Sequence, residues 1–185
     1  MMSKKLLELV KKEMPDAVLG SHSRLGNDTV ITSAERVHDV LLFLFTDERA
    51  KTNMLRELTA VDYLNRVPRF EVVYVVYSLE HKHQLVVRAV ANEDNLKVPT
   101  ASDIWPVAGW MEREVWDMYG VVFEGHPDLR RVLLYEEFDG HPLRKDYAIQ
   151  ASQPRIELRA RERDSVEEFL EFHKGKESAG SREHS

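Results

Sequence analysis

The sequence predicts an α+β fold: a two-layer domain ordered helix, two strands, helix, three strands, with a mixed sheet, followed by an irregular, loop-rich extension. Three observations predict it. Apolar residues recur at helical spacing in two short stretches before Phe45. Strand-like runs rich in valine, with alternating faces, occupy the chain up to Ala91. From Asn92 to Tyr147, proline, glycine and paired charges become dense. These shifts divide the chain into an α+β domain over 1–92, a helix plus loop segment over 93–149, and a polar tail over 150–185 whose last residues, Lys174 to Ser185, read as disordered.

The elements follow in order. Lys4 to Met14 places Leu6, Leu7, Val10 and Met14 on one helical face, and Pro15 stops the helix. Ala17 to Leu19 and Thr29 to Thr32 read as short strands around a Gly/Ser/Asn turn region. Ser33 is an N-cap candidate, with Arg36 instead of Glu or Gln at the reciprocal position. The helix after it carries Val37, Val40, Leu41 and Leu44. Leu55 to Leu64 and Phe70 to Leu79 are the next strands. The second is apolar on both faces, which predicts a central strand covered on both sides. Glu80-His81-Lys82-His83 forms a polar hairpin loop, and Leu85 to Ala91 returns antiparallel with Arg88 on one face. Asp62, among apolar neighbours, calls for an arginine partner such as Arg88.

Composition narrows the function classes. There is no cysteine, which excludes disulfides, Cys-ligated zinc, Cys-ligated iron–sulfur clusters and a thiol nucleophile within this sequence. The net charge of −6 disfavours nucleic acid as a partner, because phosphate binding needs clustered positive charge. Arg155, Arg159, Arg161 and Arg163 interleave with Glu157, Glu162 and Asp164, the pattern of a solvated or partner-bound segment. The longest apolar run, Val40 to Phe45, falls far short of the ~20 residues of a membrane helix. The N-terminus shows no export or transit signal.

The informative stretch begins at Trp110. As a helix, Trp110 to Tyr119 turns Met111, Val115, Met118 and Tyr119 inward, and Gly120 supplies the left-handed cap. Arg113 and Asp117, four apart, are spaced to pair. Glu114 borders the apolar stripe and calls for an arginine partner. Glu112 and Trp116 lie off the stripe. Trp116 therefore either anchors another protein or is buried within its own chain. Two Gly-His-Pro bends follow, at Gly125-His126-Pro127 and Gly140-His141-Pro142. Glycine permits unusual φ and proline fixes it, so each is a rigid turn. Basic side chains and an aspartate stand close after each bend: Asp128, Arg130 and Arg131, then Arg144, Lys145 and Asp146 before Tyr147. Arginine forks bind carboxylates at two points, so such segments either clamp a neighbouring surface or fix their own loops.

Glu112-Arg113-Glu114-Val115, Asp117-Met118-Tyr119-Gly120 and Phe123-Glu124-Gly125-His126-Pro127-Asp128-Leu129-Arg130-Arg131 resemble the signature of the 30 kDa (C-type) subunit family of proton-pumping NADH:quinone oxidoreductase, respiratory complex I. Gly140-His141-Pro142-Leu143-Arg144-Lys145-Asp146-Tyr147 is similar to the family's second block, and Thr59-Ala60-Val61-Asp62-Tyr63 to an upstream feature. The resemblance runs from about Ser33 to Tyr147. Gly109 stands where the family usually has asparagine, and Ala148 where proline often follows. The resemblance implies an α+β domain and a chain that carries no redox group, the complex's FMN and iron–sulfur clusters lying on other subunits. It implies packing against the 49 kDa (D-type) subunit and other peripheral-arm subunits. The expected location is the cytoplasmic side of the bacterial inner membrane, as a peripheral protein. The implied partner interface comprises Glu112, Arg113, Glu114, Trp116, Asp117, Gly125, His126, Pro127, Asp128, Arg130, Arg131, Gly140, His141, Pro142, Arg144, Lys145, Asp146 and Tyr147.

The same residues admit other chemistries. His126 and His141 are placed in proline bends without a metal-binding pattern, which favours hydrogen-bonded structural roles over ligation or catalysis. His81 and His83 fit a solvated turn better than a weak metal site. Glu112, Glu114, Asp117 and Asp128 lack an accompanying nucleophile or phosphate loop, so ion pairing is their default. The alternatives in function are the equivalent small subunit of an energy-converting [NiFe] hydrogenase or related dehydrogenase, a stand-alone His/carboxylate hydrolase, and an adaptor outside bioenergetics.

Overall fold

Helix α1, Lys4–Glu13, buries Leu6, Leu7 and Val10 and places Lys11 and Lys12 in its last turn, where they favour the negative end of the helix dipole. The structure, a computed structural model, describes residues 4–24 and 26–154. The expectations for the tail beyond Pro154 lie outside them.

Pro15–Ala17 is a single 3₁₀ turn, and strand β1 is Gly20–Arg24. The strand expected at Ala17–Leu19 is thus displaced into the stretch expected to turn. β1 is a polar edge strand. It has no apolar alternation of its own, and its conformation comes from pairing with β2, Asn27–Ser33, in the register Gly20 to Ile31 through Arg24 to Asn27. Ser33 precedes the 3₁₀ turn Ala34–Arg36 in extended conformation but makes no side-chain cap bond. Helix α2, Val37–Thr46, buries Val37, Val40, Leu41 and Leu44 as its spacing requires.

Strands β3 (Met54–Asp62), β4 (Phe70–Ser78) and β5 (His83–Ala91) complete a five-stranded sheet of order β1-β2-β5-β4-β3. The β2–β5 pair is parallel and the others antiparallel, so the sheet is mixed. One face, carrying Val30, Val72, Tyr74, Val76, Leu85, Val87 and Ala89, is fully buried together with Leu6, Val10, Val40, Leu41 and Leu44 of the helices. Each large apolar side chain there contributes about 1.5–3 kcal/mol of burial.

The other face is only half-buried at Val73, Val75, Tyr77 and Val86. The expectation of a β4 covered on both sides therefore fails. The central strand is β5, and the buried helix side chains belong to a single core with the opposite face. On the half-buried face Glu71 is enclosed by Arg88 (3.1 Å) and Arg66 (2.9 Å). Arg88 is therefore not the partner of Asp62. In the β4–β5 turn the His81 ring bonds the Glu48 carbonyl (3.0 Å) and the buried His83 ring bonds the Ala50 carbonyl (2.8 Å). The turn expected to be solvated is thus tied to the α2–β3 loop.

The extension holds more regular structure than its composition suggests. Strand β6 (Lys97–Pro99) and strand β7 (Val122–Glu124) pair in parallel, with helix α3 (Ala108–Tyr119) as the crossover between them. α3 packs on β3. Trp105, in the loop before it, meets Phe45 of α2 edge-on at 5.7 Å.

Candidate partner-binding site

Helix α3 turns Val115 and Met118 inward, with Met111 and Tyr119 half-buried, as the stripe predicts. Gly120 caps it at φ 79° and ψ 16°, and its N–H donates to the Trp116 carbonyl. A Cβ at Gly120 would stand 2.7 Å from the His141 ring, so the cap also makes room for the second Gly-His-Pro bend.

Two carboxylates on this helix are fully buried, and sequence periodicity misplaces one of them. Glu112, expected off the stripe, accepts the Ala101 N–H at 2.6 Å and the Thr100 hydroxyl at 2.5 Å. Asp117 accepts the Arg131 guanidinium at 2.6 Å on one oxygen. Its other oxygen takes the backbone N–H groups of Val132, Leu133 and Leu134 at 3.1, 2.9 and 3.0 Å. Burial alone would raise the Asp117 carboxyl. The Leu134, Leu133 and Val132 amides and Arg131 outweigh it and hold the group below the usual carboxylate range.

The expected Arg113–Asp117 pair is therefore absent. Arg113 instead donates to the carbonyls of Arg130 (3.1 Å) and Arg131 (2.9 Å) and lies over the Trp110 ring at 4.8 Å. Glu114 is exposed, with no salt bridge among the described residues. Trp116 is half-buried: Arg131 lies over its ring at 5.6 Å and His141 meets it edge-on at 6.1 Å. The exposed tryptophan is Trp110.

Both bends adopt positive φ, 85° at Gly125 and 88° at Gly140. The two histidines are fixed by backbone groups. His126 accepts the Asp128 N–H on Nδ1 (3.0 Å), so its Nε2–H donates to the Gly109 carbonyl (2.9 Å). His141 donates from Nδ1 to the Asp117 carbonyl (3.0 Å). Arg131 further donates to the carbonyls of Phe138 (2.6 Å) and Gly140 (3.2 Å), closing the loop between the two blocks. Among the described residues the Arg130 side chain reaches only Asp128 (2.9 Å), and both are exposed.

The second block is tied to the sheet through Arg69, a residue that no sequence motif marks. Arg69 grips Asp62 with two bonds of 2.7 Å and also reaches Glu93 (2.6 Å) and Asp146 (3.1 Å). Arg144 joins at Glu93 (2.7 Å) and Asp146 (3.1 Å), and the Lys145 N–H donates to Asp62 at 2.8 Å. Both guanidiniums lie over Phe70, at 4.9 and 5.1 Å. Arg69 holds the Asp62 carboxyl below its ordinary range against the opposing effect of burial, and Arg144 with Arg69 does the same to Asp146. Tyr147 stacks on Phe138 at 6.2 Å. The place of Arg69 follows from the strand pairing: Asp62 stands opposite Phe70 in the β3–β4 register, with Arg69 adjacent.

Glu112 carries the opposite shift. Burial raises its carboxyl, outweighing the Thr100 and Ala101 donors. A carboxyl raised in the fold stays protonated where the unfolded chain has ionised. Its contribution therefore lowers stability as pH rises from the unfolded value of ~4.3 to the folded one. Glu112→Gln keeps an acceptor for Ala101 and cannot ionise. Its stability relative to the parent should increase across that window, and thermal melts at about pH 4 and about pH 8 check this. A difference that does not change with pH would contradict it.

With this geometry in place, comparison with known proteins decides the family. The model of the respiratory-chain NADH dehydrogenase 30 kDa subunit matches residues 30–153. The chain belongs to that family. It is 42% identical over 148 residues to the C-type subunit of the NADH-quinone oxidoreductase of Roseiflexus sp. (strain RS-1), covering 80% of this chain and 85% of the relative. It is 38% identical over 169 residues to a protein of Nitrosospira multiformis named as the C/D subunit of NADH-quinone oxidoreductase, covering 86% of this chain and 28% of that one. Among solved structures it resembles a trypsin-resistant fragment (1-134) of Nqo5, with 33% identity and a TM-score of 0.59, over 67% of this chain and 99% of that one. No described helix is long and apolar enough to cross a membrane. Among the described residues, no three His, Asp or Glu side chains group to hold a metal.

Proposed function

We propose that this chain is a non-catalytic, cofactor-free structural subunit in the peripheral arm of a proton-translocating NADH:quinone oxidoreductase. In that reading, FMN and iron–sulfur clusters on other subunits carry electrons from NADH to quinone. This chain holds its neighbours, the 49 kDa (D-type) subunit first among them, on the cytoplasmic side of a bacterial inner membrane. Its contribution to the partner face lies in the segment 93–149, with the signature residues of α3 and of both Gly-His-Pro blocks.

The observation that carries the proposal is how the signature's polar groups are used. Glu112, Asp117, His126 and His141 are all engaged by backbone or by a structural side chain. Arg131 and Arg144 close their own loops. Groups spent on fixing two loops in one shape fit a rigid docking surface better than acid–base chemistry. The family match and the C/D relative support the choice of partner.

Purification of the tagged full chain from native membranes tests the proposal. The expected result is co-purification with a D-type subunit and NADH:quinone activity in the complex, with none in the isolated chain. Recovery of a nickel-bearing hydrogenase partner, or turnover by the chain alone, would overturn it.

A further inference from the structure

We infer that the cavity between α1, the α2–β3 loop and the β4–β5 turn is a binding site for a phosphate monoester with an apolar body. The inference does not depend on the partner proposed above.

The lining of the cavity is the first observation. It encloses about 410 Å³ and is lined by Lys5, Leu6 and Leu9 of α1, Arg49 of the α2–β3 loop, and His81 and His83 of the turn and the start of β5. Small-molecule sites begin at roughly 300 Å³, so the space suits a compact ligand. Four of the six side chains are of basic type and none is acidic, in a chain of net charge −6. The nearby acids are held by cations: Asp47 and Glu13 by Arg49, Glu80 and Glu48 by Lys51. Lys5 is exposed and makes no ion pair among the described residues. An ammonium and a guanidinium on one wall suit an anion.

The two imidazoles narrow the class of anion. His81 and His83 both bond backbone carbonyls through Nε2, at 3.0 and 2.8 Å. A carbonyl only accepts, so Nε2 carries the hydrogen and each neutral ring leaves Nδ1 as a bare acceptor. Neither Nδ1 has a protein partner among the described residues, although His83 is only 9% exposed. The rings stand 5.3 Å apart. Two acceptors in a cation-lined cavity call for a ligand that brings a hydrogen as well as a charge. A phosphate monoester does so near neutral pH, because its second ionisation falls at about 6. A carboxylate is ionised there and brings none. Leu6 and Leu9 receive the apolar body.

The walls are also fixed before any ligand enters. The two histidine–carbonyl bonds and the Lys51–Glu80 pair (2.8 Å) tie the turn to the loop, and Arg49 ties the loop to α1 through Glu13 (2.9 Å). Groups already held in place lose little freedom on binding.

Titration of the full-length chain with phenyl phosphate, followed through the ring resonances of His81 and His83, tests the site. Phenyl phosphate should bind at least about tenfold more tightly than inorganic phosphate, benzoate or phenol. Lys5→Ala and His81→Ala should each weaken it at least about fivefold, with melting curves showing that both variants are folded. Lys97→Ala, exposed on β6, is the control and should bind as the parent does. The same ester chemistry occurs on soluble molecules and on lipid headgroups. Lys5-dependent retention on vesicles of phosphatidylcholine with phosphatidic acid, and not on phosphatidylcholine alone, assigns the ester to a lipid. Retention on neither assigns it to a soluble molecule, and both results support the site. No saturable binding of phenyl phosphate, binding unchanged in both variants, or equal affinity for benzoate would overturn the inference.

Discussion

Asp117→Ala is expected to destabilise the chain by about 3–5 kcal/mol and to release the loop between the two Gly-His-Pro bends. The carboxylate is fully buried and serves four donors: the Arg131 guanidinium and three successive backbone N–H groups. Removing it leaves a largely buried guanidinium without its counter-charge and strands those amides, and the cost of each stranded donor is about 1–3 kcal/mol. The losses overlap, because all four groups are held by one side chain, so they are not additive. Urea denaturation gives the stability change, and hydrogen exchange at Val132, Leu133 and Leu134 gives the local one. Asp117→Asn should fall between, since it keeps one acceptor oxygen and loses the charge. The pH dependence has a definite sign. The folded carboxyl is depressed, so its contribution is full above the unfolded value of ~3.9 and is lost as pH falls through the folded value. The variant should therefore lack that part of the parent's acid sensitivity. A destabilisation below about 1 kcal/mol would show that the loop does not depend on this residue.

Arg69→Ala should have a comparable effect, about 3–5 kcal/mol, through a different part of the fold. Arg69 is the only cation bonded to Asp62 among the described residues, and the Asp62 side chain has no solvent exposure. Its removal leaves a buried charge whose remaining bond is the Lys145 N–H. Arg69 also bridges to Glu93 and Asp146, so the second signature block loses one of its links to the sheet. Arg144 retains Glu93 and Asp146 and should keep the block partly docked. Arg69→Lys tests geometry against charge: a point charge cannot reproduce the two-point grip on Asp62 and should recover less than half of the loss. Double substitution with Asp62→Asn is expected to be milder than the sum of the single changes, because it removes the stranded charge. Additive losses would mean that the pair is not the energetic centre of this region.

The legible parts of the fold are those written by local periodicity. Val37, Val40, Leu41 and Leu44 announce α2, and runs rich in valine announce β4 and β5. β1 escapes such reading because an edge strand of Gly, Ser, His and Arg carries no apolar alternation, and pairing with β2 creates it. The uncovered side of the sheet is illegible for a related reason. Val73, Val75 and Val86 look the same in sequence whether or not a layer lies over them.

The signature segment shows the same division. Its bends, its cap and its carboxylates are visible as residue types, but their partners are not. Asp117 takes Arg131 over the helical neighbour Arg113 because three amides of the same loop converge on it. Asp62 takes Arg69 over Arg88 because side chains on opposite faces of a sheet cannot meet, and Arg88 shares its face with Glu71. Glu112 looks off the core because helical spacing records apolar residues, whereas this carboxylate is buried against the Thr100–Ala101 turn. Of the tryptophans, Trp116 stands out in sequence as an anchor and Trp110 does not, since burial by a distant loop is invisible in the helix itself.

Hydrogen–deuterium exchange of this chain, free and within the purified complex, measures where the assembly touches it. Strong additional protection is expected in 107–149, concentrated on the exposed turns around Trp110, Arg130 and Leu133, with β1 and the β4–β5 turn unchanged. Protection confined to the half-buried face of the sheet, with 107–149 exchanging as it does in the free chain, would contradict a docking role for this segment.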